Sequence, residues 1–141
     1  MNIELLKASI AAHEGDRLFP YTDTKGKITI GKGHNLTDRG IPQSISEELF
    51  TLDVAEAVDT LRQRYPWTQT LNDVRQRVLV EMLYNMGLPQ FSQFRRMLRA
   101  AEAGAPETAA AEMLDSHWAT DVGGRATRLA TMYQTGKDPG E

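Results

Sequence analysis

The 141-residue sequence predicts an α+β fold: a small lobe built on a β-hairpin, then one long helix, then a bundle of short helices. Three observations support this. Apolar residues recur at helical spacing over most of the chain. One stretch, Arg17 to Gly33, instead places two strand-like runs around a turn. Finally, 40% hydrophobic and 25% charged residues with no cysteine describe a globular chain whose core needs no disulfide staple.

The first helix is predicted from Ile3 to His13, with Ile3, Leu6 and Ile10 on one face and Gly15 closing it. Phe19-Pro20-Tyr21 and Ile28-Thr29-Ile30 then read as strands. Asp23-Thr24-Lys25-Gly26 lies between them, with Asp first and Gly fourth as a β-turn favours. Ser44 and Glu47 have the spacing of a capping box, and Leu49, Phe50, Val54, Ala57, Val58 and Leu61 continue an apolar face until Pro66. Asn72 is placed to cap a helix that ends at Gly87. Ser92 is expected to start another ending at Gly104, and Pro106 one that runs to Trp118. A last helix is predicted from Arg125 to about Gln134. The whole reads as one domain: a lobe over 12–45, a connecting helix over about 44–64, and a helical lobe over 65–137 on which the first helix packs.

Lys and Arg total 16 against 19 Asp and Glu, a net charge of −3, which disfavours a protein that grips nucleic acid by bulk charge. A helix-rich DNA binder using Arg75, Arg77, Arg95 and Arg99 is the weaker alternative for this reason. Without cysteine, thiolate zinc sites and cysteine nucleophiles are excluded, and His13 and His117 lack ligand-spaced partners. No metal and no cofactor are expected. The first twelve residues are too charged for a signal sequence and too short to span a bilayer, so no stable membrane insertion is expected. Met82, Met86 and Met97 sit at core spacing, and the Arg95–Arg99 run reads as a solvated face.

Glu14, Asp23 and Thr29 form the candidate chemical constellation. The predicted elements bring two carboxylates and a hydroxyl to one end of a small sheet. Cleaving a glycosidic bond requires a protonated carboxyl beside the leaving oxygen and an ionised one across from it. Each residue also has an ordinary structural explanation: Asp23 as a turn former, Glu14 as a solvated helix end, Thr29 as a good strand residue.

The sequence from His13 through Leu18, Tyr21 through Gly26, and Thr29-Ile30-Gly31-Lys32-Gly33-His34 resembles the phage-type lysozymes, or endolysins, of glycoside hydrolase family 24. Within that family it is nearest the T-even phage members. Glu, Asp nine positions on and Thr six beyond it match the family pattern. The resemblance implies a lysozyme-like two-lobed fold and a muramidase that cuts the β-1,4 bond between N-acetylmuramic acid and N-acetylglucosamine in bacterial peptidoglycan. By the same resemblance Glu14 is the general acid, Asp23 the base of an inverting reaction, and Thr29 the holder of the attacking water. Asn35, Tyr84 and Phe94 fall at groove-lining positions, Arg125 at one that approaches the catalytic Glu, and His34 and Asp53 at a structural pair. Host-cell lysis follows, by a monomer made in the cytoplasm of the infected bacterium and released through a separate holin.

The chain departs from the T-even members between Thr37 and Ile41, where it has only Asp38-Arg39-Gly40 in place of a longer segment with an extra helix. Two rival activities share the scaffold: a non-catalytic peptidoglycan-binding module and a lytic transglycosylase.

Overall fold

Helix α1 (Ile3–Glu14) opens the chain, capped by the Asn2 side chain, which accepts from Leu5 N at 3.0 Å. The structure is a computed structural model, and it describes all 141 residues. They divide into two compact units, 1–49 and 50–141. No helix is long and apolar enough to cross a membrane.

The first unit holds α1 and a three-stranded antiparallel sheet in the order β1-β2-β3: β1 (Arg17–Thr22), β2 (Ile28–Gly31) and β3 (His34–Asn35). Arg17 pairs with Gly31 and Tyr21 with Thr29, so β1 carries two extra residues between these pairs. Pro20 lies in that interval. It has no N–H to donate, which an edge strand tolerates at a bulge. The Arg17 guanidinium lies 4.2 Å over the Tyr21 ring. Neither β3 nor the one-turn helix α2 (Leu36–Arg39) that follows it was expected from the sequence. The segment after Thr37 is thus short but not devoid of helix.

Helix α3 (Gln43–Arg64) spans the boundary between the units. It does not begin with the Ser44 capping box. Gln43 is already helical and its amide donates to the Glu47 carboxylate at 2.7 Å, so Ser44 falls inside the first turn.

In the second unit a 3₁₀ turn (Pro66–Thr70) leads to α4 (Asp73–Met86), whose Asn72 cap and Gly87 stop are as predicted. Val74, Val78 and Met82 make one buried stripe of α4, joined by Leu79 and Leu83. Around it stand α5 (Leu88–Phe91), α6 (Arg95–Glu102), α7 (Pro106–Leu114), α8 (His117–Val122) and α9 (Gly124–Thr135). Ser92 ends α5 instead of starting α6, its hydroxyl donating to Pro89 O at 2.9 Å. The helix expected from Pro106 through Trp118 is broken in two. Asp115 leaves the helical region, and the Ser116 hydroxyl caps α8 by accepting from Ala119 N at 3.1 Å.

The core is rich in sulfur: Met82, Met97, Met113 and Met132 are all buried, with Phe91 and Tyr133. Trp118 is also buried, and its indole N–H donates to Asn85 at 2.9 Å. No buried side-chain polar atom lacks a partner.

The two ends of this unit are tied together. Arg75 donates to the carbonyls of Tyr133 (2.7 Å) and Gln134 (3.0 Å), filling acceptors that the end of α9 leaves open. The Asn72 amide donates to Gly136 O at 3.1 Å. Arg77 binds Asp73, Asp138 and Glu141 at 2.8, 2.9 and 2.6 Å.

Candidate active site

Asp23 is fixed by the turn it forms. Its backbone N–H donates to Lys27 O (2.8 Å), and its carbonyl accepts from Gly26 N (3.1 Å), with Gly26 at φ +78°. The side chain accepts backbone N–H bonds from Lys25 and Lys27, both at 2.8 Å. Both end on Oδ1, and Oδ2 accepts none from the protein. The structural and the chemical explanations of this residue therefore do not compete. One oxygen holds the turn, and the other is available to a reactant.

Thr29, on the central strand, is the one buried residue of the first unit. Its hydroxyl donates to Lys27 O at 3.1 Å, which turns its acceptor lone pairs away from that carbonyl. Asp23 and Thr29 are thus both bonded to the backbone of Lys27, a connection that the motif spacing did not disclose.

Glu14 ends α1 and folds over the turn between β2 and β3. A Cβ on Gly33 would lie 2.8 Å from Glu14 Oε2 and 3.0 Å from its carboxyl carbon. Gly33, at φ +78°, is therefore favoured by the backbone turn, and its lack of a side chain leaves room for the Glu14 carboxylate. Its signal was the pair of glycines around Lys32, which entered the sequence analysis as part of the Thr29–His34 motif without a contact to Glu14. The expectation that both carboxylates gather at one end of the sheet needs correcting. Antiparallel pairing puts the Asp23 turn before β2 and the Gly33 turn after it, so the carboxylates flank the strand that carries Thr29.

His34 meets Gly40 O through Nε2 at 2.5 Å. Asn35 uses both ends of its amide on α2: Oδ1 accepts from Asp38 N at 3.0 Å, and Nδ2 donates to Asp38 Oδ2 at 2.9 Å. Its place is a helix cap.

In the second unit, Tyr84 is exposed and stands edge-on to Phe50, with centroids 6.2 Å apart. Both line a groove of about 510 Å³ floored by Val54, Val58 and Val80. Arg125 is at its rim, Nε 3.6 Å from Glu81. Phe94 is half-buried edge-on to Trp118 (6.2 Å) and lines a different groove of about 570 Å³. Tyr84 and Phe94 therefore do not share a binding surface. Asp53 is exposed on α3, beside Glu56 and Thr60.

Comparison with known proteins agrees with this architecture. The phage lysozyme family matches residues 11–132. Two proteins of Dictyostelium discoideum, named "Probable T4-type lysozyme 2" and "Probable T4-type lysozyme 1", are each 26% identical to the chain. Each alignment covers 95% of this chain and 96% of the relative. The "Pre-baseplate central spike protein Gp5" of Enterobacteria phage T4 is 32% identical over 87% of this chain, which corresponds to 26% of that protein.

A largely helical chain with one small antiparallel sheet that matches the phage lysozyme family is a lysozyme-type glycoside hydrolase. With the family match running through Glu14, Asp23 and Thr29 and on to α9, the chain belongs to the phage lysozyme family.

Proposed function

We propose that the protein is a muramidase that hydrolyses the β-1,4 bond between N-acetylmuramic acid and N-acetylglucosamine in bacterial peptidoglycan. One observation carries this reading: Glu14 and Asp23 flank β2, with the Thr29 hydroxyl on the strand between them. A saccharide lying along β2 meets a carboxyl on each side of its scissile bond. Glu14, protonated, donates to the glycosidic oxygen as the C1–O bond breaks. A water held by a Thr29 lone pair gives its proton to Asp23 Oδ2 as its oxygen bonds to C1. The cycle closes when the proton on Asp23 returns to solvent and Glu14 is reprotonated.

By its resemblance to the phage-type lysozymes we assign the enzyme to the inverting class, with Asp23 as base rather than nucleophile.

In this reading Tyr84 and Arg125, which line one groove of the helical unit, contact substrate; Phe94, on a separate groove, is left out, and so is the His34–Asp53 pair, because His34 binds Gly40 O. Asn35 is left out because its amide is engaged by Asp38. The biological setting we propose is lysis of an infected bacterium by a monomer that reaches the wall from the cytoplasm through a separate holin.

The decisive experiment digests purified Gram-negative peptidoglycan with wild type and Glu14→Gln and identifies the product ends by mass. Reducing muramic-acid ends from wild type alone, with activity lowered by about 10²-fold or more in the variant, are expected. Anhydro ends would mean a lytic transglycosylase. Equal binding without release would leave a wall-binding module.

A further inference from the structure

Lys27 takes part in four hydrogen bonds within the first unit. Its N–H holds Asp23 Oδ1, and its carbonyl accepts both Asp23 N and the Thr29 hydroxyl. Its ammonium reaches across to α2 and binds Asp38 Oδ1 at 3.0 Å. Asp38 is itself anchored, since Asn35 donates to its other oxygen and accepts from its N–H. The next residue, Ile28, opens β2 and donates its N–H to Thr37 Oγ1 at 2.7 Å. Lys27 and Ile28, the residue before β2 and its first, are therefore pinned to Asp38 and Thr37 of α2, where the sequence departs from the T-even pattern.

The geometry points to Lys27 and Asp38 as positioning residues for the hydrolytic step, fastening to α2 the backbone that aims Asp23 and Thr29 at the same water. This rests on the muramidase reading above. The pair does not touch substrate; it acts through the peptide of Lys27. The Lys27 hydrogen bond first, and the Asn35 amide second, hold the Asp38 carboxyl below its ordinary value, which favours its ionised form. Both side chains are partly exposed, 38% and 51%. A pair so wetted contributes little to overall stability, so its effect belongs in alignment of the reacting groups.

The test compares kcat and KM on soluble peptidoglycan fragments for wild type, Lys27→Met, Asp38→Asn, Lys27→Arg, the charge swap Lys27→Asp with Asp38→Lys, and Asp23→Ala. All are assayed where circular dichroism shows each variant folded. Lys27→Met and Asp38→Asn are expected to lose about three- to tenfold in kcat with KM unchanged, and Lys27→Arg and the swap to recover most of it. Amide exchange at Lys27 gives a second readout and should quicken in Asp38→Asn. Full kcat and unaltered Lys27 exchange in both single variants, with Asp23→Ala inactive, would overturn the positioning role alone. A loss that tracks thermal stability and is not recovered by the swap would overturn it too. A fully active Asp23→Ala would remove the catalytic reading and this inference with it.

Discussion

At Gly33 the backbone turns with φ +78°, and a methyl group there would stand 2.8 Å from the Glu14 carboxylate. Gly33→Ala is therefore expected to cost about 1 kcal/mol in stability through backbone strain. Its larger effect should be on turnover, because the flexible Glu14 side chain yields first. Parallel measurement of thermal midpoint and kcat separates the two. Tyr133 offers a different handle, since burial pushes its phenol up to about 12. Folding thus favours the neutral phenol. The associated stability is intact below the unfolded value of about 10 and is lost as pH rises through 12. An alkaline titration followed by tyrosinate absorbance should show Tyr133 ionising together with unfolding. The candidate residues could be nominated in advance, because Asp23 and Thr29 lie in a contiguous motif and Glu14 lies nine residues before Asp23. Lys27 could not, because it acts through main-chain atoms that every residue except proline possesses in full. The helix-capping role of Asn35 was hidden for a related reason: a side-chain amide serves a sugar or a helix cap equally well, and the one-turn helix beside it is too short to announce itself.

Helix α4 is the element on which the second unit depends, and its sequence announced it. Asn72 and Gly87 bound it with signals local to the chain, and Val74, Val78 and Met82 recur four apart. Met82 is fully buried, so Met82→Ala should destabilise by about 2–5 kcal/mol in chemical denaturation. Asn72→Ala removes both the cap on Arg75 N and the bond to Gly136 O, and a loss of about 1–2 kcal/mol is expected. The elements that the sequence misplaced are those whose limits come from afar or from weak local competition. Strand β3 has two residues and α2 four, too few for periodicity to register, and both are held by bonds to β2. The break at Asp115 interrupts an apolar pattern that runs straight across it. The Ser44 capping box is correctly spaced but begins one residue inside a helix already under way.

For the molecule as a whole, acid should act first on its ionic ties. Asp138 is held below its ordinary value by the Gly140 N–H foremost and then by Arg77, with Arg128 adding to it. A depressed carboxylate contributes stability above its unfolded value, near 3.8, and loses it as pH falls through the lower folded value. The tail over 137–141 should therefore stay fastened throughout the neutral and mildly acidic range and come loose only in strong acid. Exchange at the Gly140 amide would report this, and loosening already at pH 5 would contradict it. The four methionines enclosed around α4 carry a further consequence, in a chain whose only sulfur is thioether. Peroxide should convert the fully exposed Met1 at once, while Met82, Met97, Met113 and Met132 wait for the core to open. Each sulfoxide would then lodge a polar group where none fits, hindering reclosure. Mild oxidation becomes a clock for transient opening, and ageing in air should inactivate the protein abruptly, molecule by molecule, rather than dull it evenly.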